Sequence, residues 1–444
     1  MHIDFLTKVL KEKPDQPAIV WKDKSVENQW LTDRITYWES YIDDKGLKSG
    51  SVVVLEGDFS PNSIALFLAL TQKACIIVPI HYSTANKTQV LEIAAVQFIL
   101  RVNEKDEISL ESCDRLADHE FYQLLRKRHT PGLVLFSSGT SGQPKAAVHD
   151  FVCLLEKFKQ RRKPLNLLNF LLFDHWGGLN TMLHTLSSGG TVLTVEERSP
   201  DAICEFIERH KVEILPTSPT FLNLLLLSRA NERYDLSSLK LISYGTEPMP
   251  ISTLNRMRVV FPDVRLQQTY GLIELGVLRS KSKSSDSLWM KIGGEGFETR
   301  VVEGLLEIKA KSAMLGYLNE PSPFSEDGWY MTGDSVETDG EYFKILGRKS
   351  EVINVGGEKV YPAEVESTIL EIDNVADATV YGEKNMITGN IVCANVGLVE
   401  DEDEDKFVTR LKTHCGSILK PFKVPIKVNI IQDMAPSVRF KKQR

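Results

Sequence analysis

The 444-residue chain has only six cysteines, at positions 75, 113, 153, 204, 393 and 415. None forms a CxxC pair or a Cys/His ligand spacing, which excludes a zinc ribbon and a disulfide framework. Reduced thiols in a cytosolic protein are the expectation. Long apolar runs are also missing, and without a stretch of about 18 such residues no transmembrane helix is expected. The start, MHIDFLTKVLKEKPDQPA, lacks a charged segment followed by an apolar one, so no signal peptide is read. Positive charge is not in excess. A net charge of −7 and a pI near 5.8 argue against a nucleic-acid-binding face. They leave room for one anionic ligand in a local pocket.

With 42% hydrophobic and 25% charged residues, the chain has the composition of a soluble globular protein. Its length exceeds one ordinary core and predicts two or three domains. The spacing predicts a helix over 4–13, ended by Pro14, and strands at 17–22, 51–56, 75–80 and 97–102. Helical stretches at 62–73 and 86–95 lie between them, a βαβ rhythm that implies a parallel sheet. Further strands are expected at 170–173 and 191–195, with a helix at 179–186 between them. Residues 280–287, SKSKSSDS, read as a polar, mobile loop. The six acidic residues Glu400 to Asp405 read as a solvated loop kept extended by self-repulsion.

The chemistry centres on Leu135 to Val148, LFSSGTSGQPKAAV. Ser137 to Gly142 is all hydroxyl or glycine, followed by Pro144 and Lys145. Such a loop has few side chains to shield its backbone, so N–H groups, hydroxyls and one ammonium can converge on a single anion. The apolar run Leu133 to Phe136 reads as a buried strand, and the loop is expected to leave a sheet edge. It is not the GxxxxGK[ST] loop, because Pro144 precedes the lysine and no Ser or Thr follows it.

The pattern [ST]SGT[ST]GxPK resembles the phosphate loop of the adenylate-forming enzymes, which include acyl-CoA synthetases, firefly luciferase and peptide-synthetase adenylation domains. The resemblance runs the length of the chain. His175, Gly178 and Leu179 match HxxGL, whose histidine gates the acyl pocket. Gly245, Thr246, Glu247 and Pro248 match the turn that lies against adenine. Tyr270, Gly271 and Glu274, preceded by Thr269, match YGxTE, with Ile273 in place of the usual threonine. Thr332-Gly333-Asp334 and Gly347-Arg348 match the pair that holds the ribose, and a carboxylate suits a vicinal diol because it accepts two hydrogen bonds.

The resemblance implies a fold and a division of labour. The fold class is α/β: a large N-terminal domain of parallel βαβ sheets with a small β-rich section, residues 1–348, then a small mobile α+β lobe, residues 349–444. Ser350 stands where the family hinge usually carries Asp or Lys. Gly356 and Gly357 match the turn that lines the thiol tunnel, and Lys359 matches a cation near the phosphate. Lys442 matches the catalytic lysine, with Lys441 as its rival. The implied cofactors are ATP, Mg²⁺ on Thr140 and Glu274, and CoA or a carrier-protein phosphopantetheine. Ser137, Ser138, Gly139, Thr140, Ser141, Gly142 and Lys145 would wrap the phosphates.

The implied reaction is activation of a carboxylic acid to an acyl-adenylate, then thiol transfer. Three alternatives stay open: an amino-acid adenylation domain with Asp174 as ammonium partner, a ligase with an amine or hydroxyl acceptor, and a catalytically weakened nucleotide-binding relic. The acyl pocket is expected to include His175, Trp176, Leu179, Ser243 to Gly245 and Thr269, favouring a small or medium acid.

Overall fold

The structure is a computed structural model that describes residues 2–138 and 143–431. The β-branched runs become the centres of two seven-stranded sheets. In the first, Val52–Glu56 pairs in parallel with Ile76–Ile80 and Phe98–Val102. These strands are buried on both faces, which is why they read as unbroken apolar runs and not as alternating ones. The helix Pro61–Gln72 crosses between two of them, started by Ser60, whose side chain accepts from Ser63 N, and by a proline in its first turn.

Two expectations change here. Gly132–Ser138 lies inside the sheet, between Ile76–Ile80 and Pro144–Asp150, and pairs antiparallel with the latter from Gly132↔Asp150 to Ser138↔Pro144. The glycine-rich segment therefore connects the two strands of a hairpin and does not leave a sheet edge. In the second sheet the strand is Leu167–Asn169, not 170–173, and its helix runs Trp176–Ser188. The run 170–173 is apolar because it packs between the sheets: Phe173 lies edge-on to Phe59, with ring centroids 5.1 Å apart.

A third sheet of six strands follows, built from antiparallel pairs between Ser280 and Arg348. The first three residues of the expected loop at 280–287 belong to it, since Ser280–Ser282 pairs with Met290–Ile292. Ser282 is buried, and its hydroxyl accepts from Gln268 N at 2.8 Å. A polar side chain here caps a strand and does not signal exposure.

Beyond the 3-10 turn Lys349–Glu351, residues 353–419 close a core of their own around Val360, Val365, Ile369, Phe407 and Leu411. The acidic run is not one loop. Asp403 accepts from Lys406 N and starts the helix Glu404–Ile418, so Glu404 and Asp405 sit at its positive end. Hydrogen bonds tie this lobe to the second sheet's helices. Asn223 Nδ2 donates to Ala376 O (2.8 Å), Ile251 N to Ser367 Oγ (3.1 Å), and Ser252 Oγ to Ser367 O (3.2 Å). Among the described residues no helix is long and apolar enough to cross a membrane.

Candidate active site

Asp334 and Arg348 face each other across the antiparallel pair Tyr330–Asp339 and Tyr342–Arg348. Register alone places them together, and Arg348 Nε lies 2.9 Å from Asp334 Oδ1. The other carboxylate oxygen accepts the Tyr270 hydroxyl at 2.5 Å. Asp334 is buried, and burial pushes its carboxyl above the usual range against the pull of Arg348 and Tyr270. Gly333, at φ +74°, turns the chain just before it. Thr332 Oγ1 accepts from Asp334 N at 3.0 Å and donates to Leu306 O at 2.7 Å, holding the turn. Three separate stretches of sequence thus converge on one carboxylate.

Tyr270 has more structure than an aromatic platform. Its ring packs in the core of the third sheet, and burial beside Asp334 pushes its hydroxyl pKa well up. Gly271 is required by proximity, because a Cβ there would stand 3.1 Å from Val277 Cα in the facing strand of a two-stranded hairpin.

Glu274 stands in that hairpin's turn and is buried. Tyr317 donates its hydroxyl to Glu274 Oε1 at 2.5 Å, and Met314 N donates to Glu274 O at 2.8 Å. Lys145 Nζ lies 6.0 Å from the centre of the Tyr317 ring and 3.7 Å from Glu320 Oε2. Tyr317 therefore bridges the lysine after the glycine-rich segment and the expected metal carboxylate. Asn319 clasps the same strand, its Oδ1 accepting from Ala146 N (3.0 Å) and its Nδ2 donating to Pro144 O (2.8 Å). Tyr317 and Asn319 had no role in the sequence reading. Their signal was the run GYLNE, read only as a β-rich section.

The turn after Leu241–Tyr244 fits its expectation for a different local reason. A Cβ on Gly245 would meet Thr269 Oγ1 at 2.5 Å and Thr269 O at 2.8 Å, so the glycine is required by the neighbouring strand itself. Thr246 takes φ +75°, a conformation disfavoured outside glycine. Glu247 turns aside to accept from Thr220 N at 2.7 Å, at the start of the helix Pro219–Ser228; Pro248 follows it.

His175 caps the helix Trp176–Ser188, Nδ1 accepting from Gly177 N at 3.0 Å. Gly178 has no room for a side chain, since a Cβ would sit 2.4 Å from Leu172 O. These contacts account for the HWGG run and fix the ring at a helix end. Asp174, the candidate ammonium partner, is buried and accepts from Thr84 Oγ1 at 2.8 Å, tying the two large sheets. Gly356 and Gly357 make the left-handed turn of the hairpin Ile353–Val355/Glu358–Val360, at φ +58° and +89°. Lys359 is exposed there, opposite Asn354.

Ser137 pairs with Lys145 across the hairpin, and Ser138 with Pro144. The expected phosphate ligands Gly139, Thr140, Ser141 and Gly142, and the expected catalytic Lys442 with its neighbour Lys441, lie outside the described residues.

A family model described as AMP-binding enzyme matches residues 6–293, and one described as AMP-binding enzyme C-terminal domain matches residues 364–442. The chain belongs to the AMP-binding enzyme family. It is 30% identical over 316 residues to 4-coumarate–CoA ligase 3 of Arabidopsis thaliana, a match covering 62% of this chain and 56% of that protein. It thus spans little more than half the length of that relative. A 2-succinylbenzoate–CoA ligase of Enterococcus faecalis is 23% identical over 464 residues, covering 96% of this chain and 93% of the relative. The fold matches the anthranilate CoA ligase AuaEII in complex with anthranoyl-AMP with a TM-score of 0.85 at 18% identity, over 99% of this chain and 95% of that one.

The donor set fits the family's nucleotide. Asp334 offers a diol two carboxylate oxygens, whose present partners are a phenol and a guanidinium that a ribose can replace or join. Glu274 is a buried oxygen donor whose recorded side-chain partner is the Tyr317 phenol, suited to a hard cation that takes its remaining ligands from phosphate and water. Among the described residues no three acidic, His or Cys side chains cluster for a metal. A magnesium ion here would arrive with its phosphates.

Proposed function

We propose that the chain activates a carboxylic acid with MgATP, forming an acyl-adenylate and pyrophosphate, and passes the acyl group to the thiol of CoA with release of AMP. The observation that carries this reading is the convergence of Asp334, Arg348 and Tyr270 beside Glu274, Tyr317 and Lys145, within a chain of the AMP-binding enzyme family. Asp334 and Arg348 would hold the ribose, and the Gly245–Pro248 turn with Tyr270 would wall the adenine. Lys145, Ser137, Ser138 and the segment 139–142 would wrap the phosphates. Glu274 and Thr140 would hold Mg²⁺, which supplies charge neutralisation on the phosphate oxygens. Lys442 would neutralise the charge that develops as the substrate carboxylate attacks the α-phosphate.

Catalysis of this kind needs position and charge, with no covalent enzyme intermediate. The carboxylate oxygen bonds to the α-phosphorus as the bond to pyrophosphate breaks. The thiol sulfur then attacks the acyl carbon, AMP leaves, and the thiol proton passes to solvent. The lobe after Arg348, divided from the rest at 348/349, would turn between these steps, with Gly356 and Gly357 entering for the second. Free thiols at all six cysteines support a reducing compartment such as the cytosol.

Pyrophosphate release from MgATP over a panel of carboxylic and amino acids, with and without CoA, tests the reading. Release that depends on one acid class and turns over faster with CoA supports it. Release with amino acids alone and inert CoA would replace it with carrier loading. ATP binding without release from any acid would leave a nucleotide-binding relic.

A further inference from the structure

Lys157 stands in the 3-10 turn Glu156–Phe158, and its amine is enclosed. Nζ donates to Val277 O at 3.0 Å and lies 5.6 Å from the centre of the Trp176 ring and 5.0 Å from that of Phe158. The charges that act on it are those of Arg162 and Arg279, both positive. His184, two turns along the Trp176 helix, lies within the same field, with Arg162 and Lys157 acting on it. Glu156, the acidic residue next to Lys157, pairs with Lys159 instead. An ammonium enclosed with other cations and a single recorded carbonyl partner is costly in the empty protein.

A second observation points the same way. Trp176 is buried, and its indole N–H has no hydrogen-bond partner among the described residues. A Cβ on Gly276 would stand 3.1 Å from that nitrogen and 2.9 Å from Leu154 Cδ2, so the glycine backbone lies close against the indole. One unpartnered donor and one under-partnered cation thus border the strand Gly276–Val277. That strand begins two residues after Glu274, and Trp176 follows His175. Three residues of chain span at most roughly 11 Å, which bounds the distance between the Glu274 and Val277 backbones.

We propose that Lys157, with the Trp176 N–H, binds a second anionic group at the far end of the substrate, making the preferred substrates short dicarboxylic acids. This rests on the acid-activating reading above, since it assigns the distal end of the acid whose near carboxylate is adenylated. The second carboxylate supplies the counter-charge that the protein omits, and Arg162 and Arg279 add to the attraction. Burial and the two arginines hold the Lys157 amine down at about 7, and burial holds His184 at about 4. An arriving anion raises both.

The test is pyrophosphate release by the full chain with matched pairs: succinate against butyrate, glutarate against valerate, adipate against hexanoate. Lys157→Met and Trp176→Phe run beside a Lys159→Met control, with ATP binding by calorimetry as the check on folding. The expected result is a KM for the best diacid at least tenfold below that of its monoacid partner. In Lys157→Met that advantage disappears through KM, with kcat changed far less; Trp176→Phe loses part of it, and Lys159→Met keeps it. Equal efficiency for diacid and monoacid, unmoved by Lys157→Met, overturns the proposal while leaving acid activation intact. No release from any acid, with ATP still bound, removes the activation reading and this proposal with it.

Discussion

Two enclosed charges in this protein are treated in opposite ways. Asp334 has a guanidinium 2.9 Å from one oxygen and a phenol 2.5 Å from the other, so three segments of the chain meet at one carboxylate. Among the described residues Lys157 has one carbonyl and two aromatic faces, and the charges that act on it are both positive. The Asp334 corner has its partners before a ligand arrives, so on the proposed reading a ribose would exchange partners there at little reorganisation cost. The Lys157 corner is left incomplete, and its missing partner must be carried in. A pre-satisfied site suits a group common to every turnover; an unsatisfied one selects the substrate.

The largest expected effect breaks the first corner. Asp334→Ala removes the acceptor for the ribose, for Tyr270 and for Arg348 together. ATP binding should weaken by about 3 kcal/mol, over a hundredfold, as measured by calorimetry. The empty variant should also melt lower, because the buried Tyr270 hydroxyl loses its carboxylate acceptor. Lys157→Met should do the reverse and raise the melting temperature of the empty protein, by about 1 kcal/mol of stability, since it removes an enclosed cation without a counter-charge. Opposite signs at the two positions would sharpen the comparison; equal destabilisation would erase it.

The next effect is on pH. The Lys157 amine titrates at about 7 when folded, far below its unfolded value, so the unfolded chain holds more protons between the two. Its cost to stability is complete below about pH 7 and fades as pH rises above it. The melting-temperature gap between Lys157→Met and the parent should narrow from pH 6 to pH 9. Diacid KM should rise over the same interval, as the free amine loses the charge that the anion needs. His184, at about 4, is neutral throughout.

A separate effect concerns a contact near neither charge. Gly245→Ala places a methyl 2.5 Å from Thr269 Oγ1 and 2.8 Å from its carbonyl. The turn must shift, at a cost of about 1–3 kcal/mol, which thermal unfolding would read together with weaker adenine binding.

The meeting of Asp334 with Arg348 was legible in the sequence because TGD and GR are short local strings whose pairing depends only on strand register. Glu274 and Lys145 were legible for the same reason. Tyr317 was not, because its role arises from a bond spanning 43 residues to Glu274, and nothing in GYLNE marks that distance. Lys157 was not either: in the sequence it is one lysine in the run EKFKQRRK, where charge suggests exposure. Only the packing of Trp176 and Val277 over it encloses the amine. The hairpin around the glycine-rich segment was misread as a sheet exit because apolar runs flank it on both sides, and periodicity carries no pairing direction. The parallel core, by contrast, followed from β-branched runs separated by helices, and the C-terminal lobe from its own alternation.

The most direct single measurement is calorimetric binding of two non-hydrolysable acyl-sulfamoyl adenosines, one with a terminal carboxylate and one with a terminal methyl, to the parent, Asp334→Ala and Lys157→Met. The account predicts that the parent prefers the carboxylate-ended ligand at least tenfold. Asp334→Ala should weaken both ligands by the same factor, and Lys157→Met should abolish the preference. Affinity untouched by Asp334→Ala would contradict the placement of the nucleotide, and a preference that survives Lys157→Met would contradict the placement of the acid's far end.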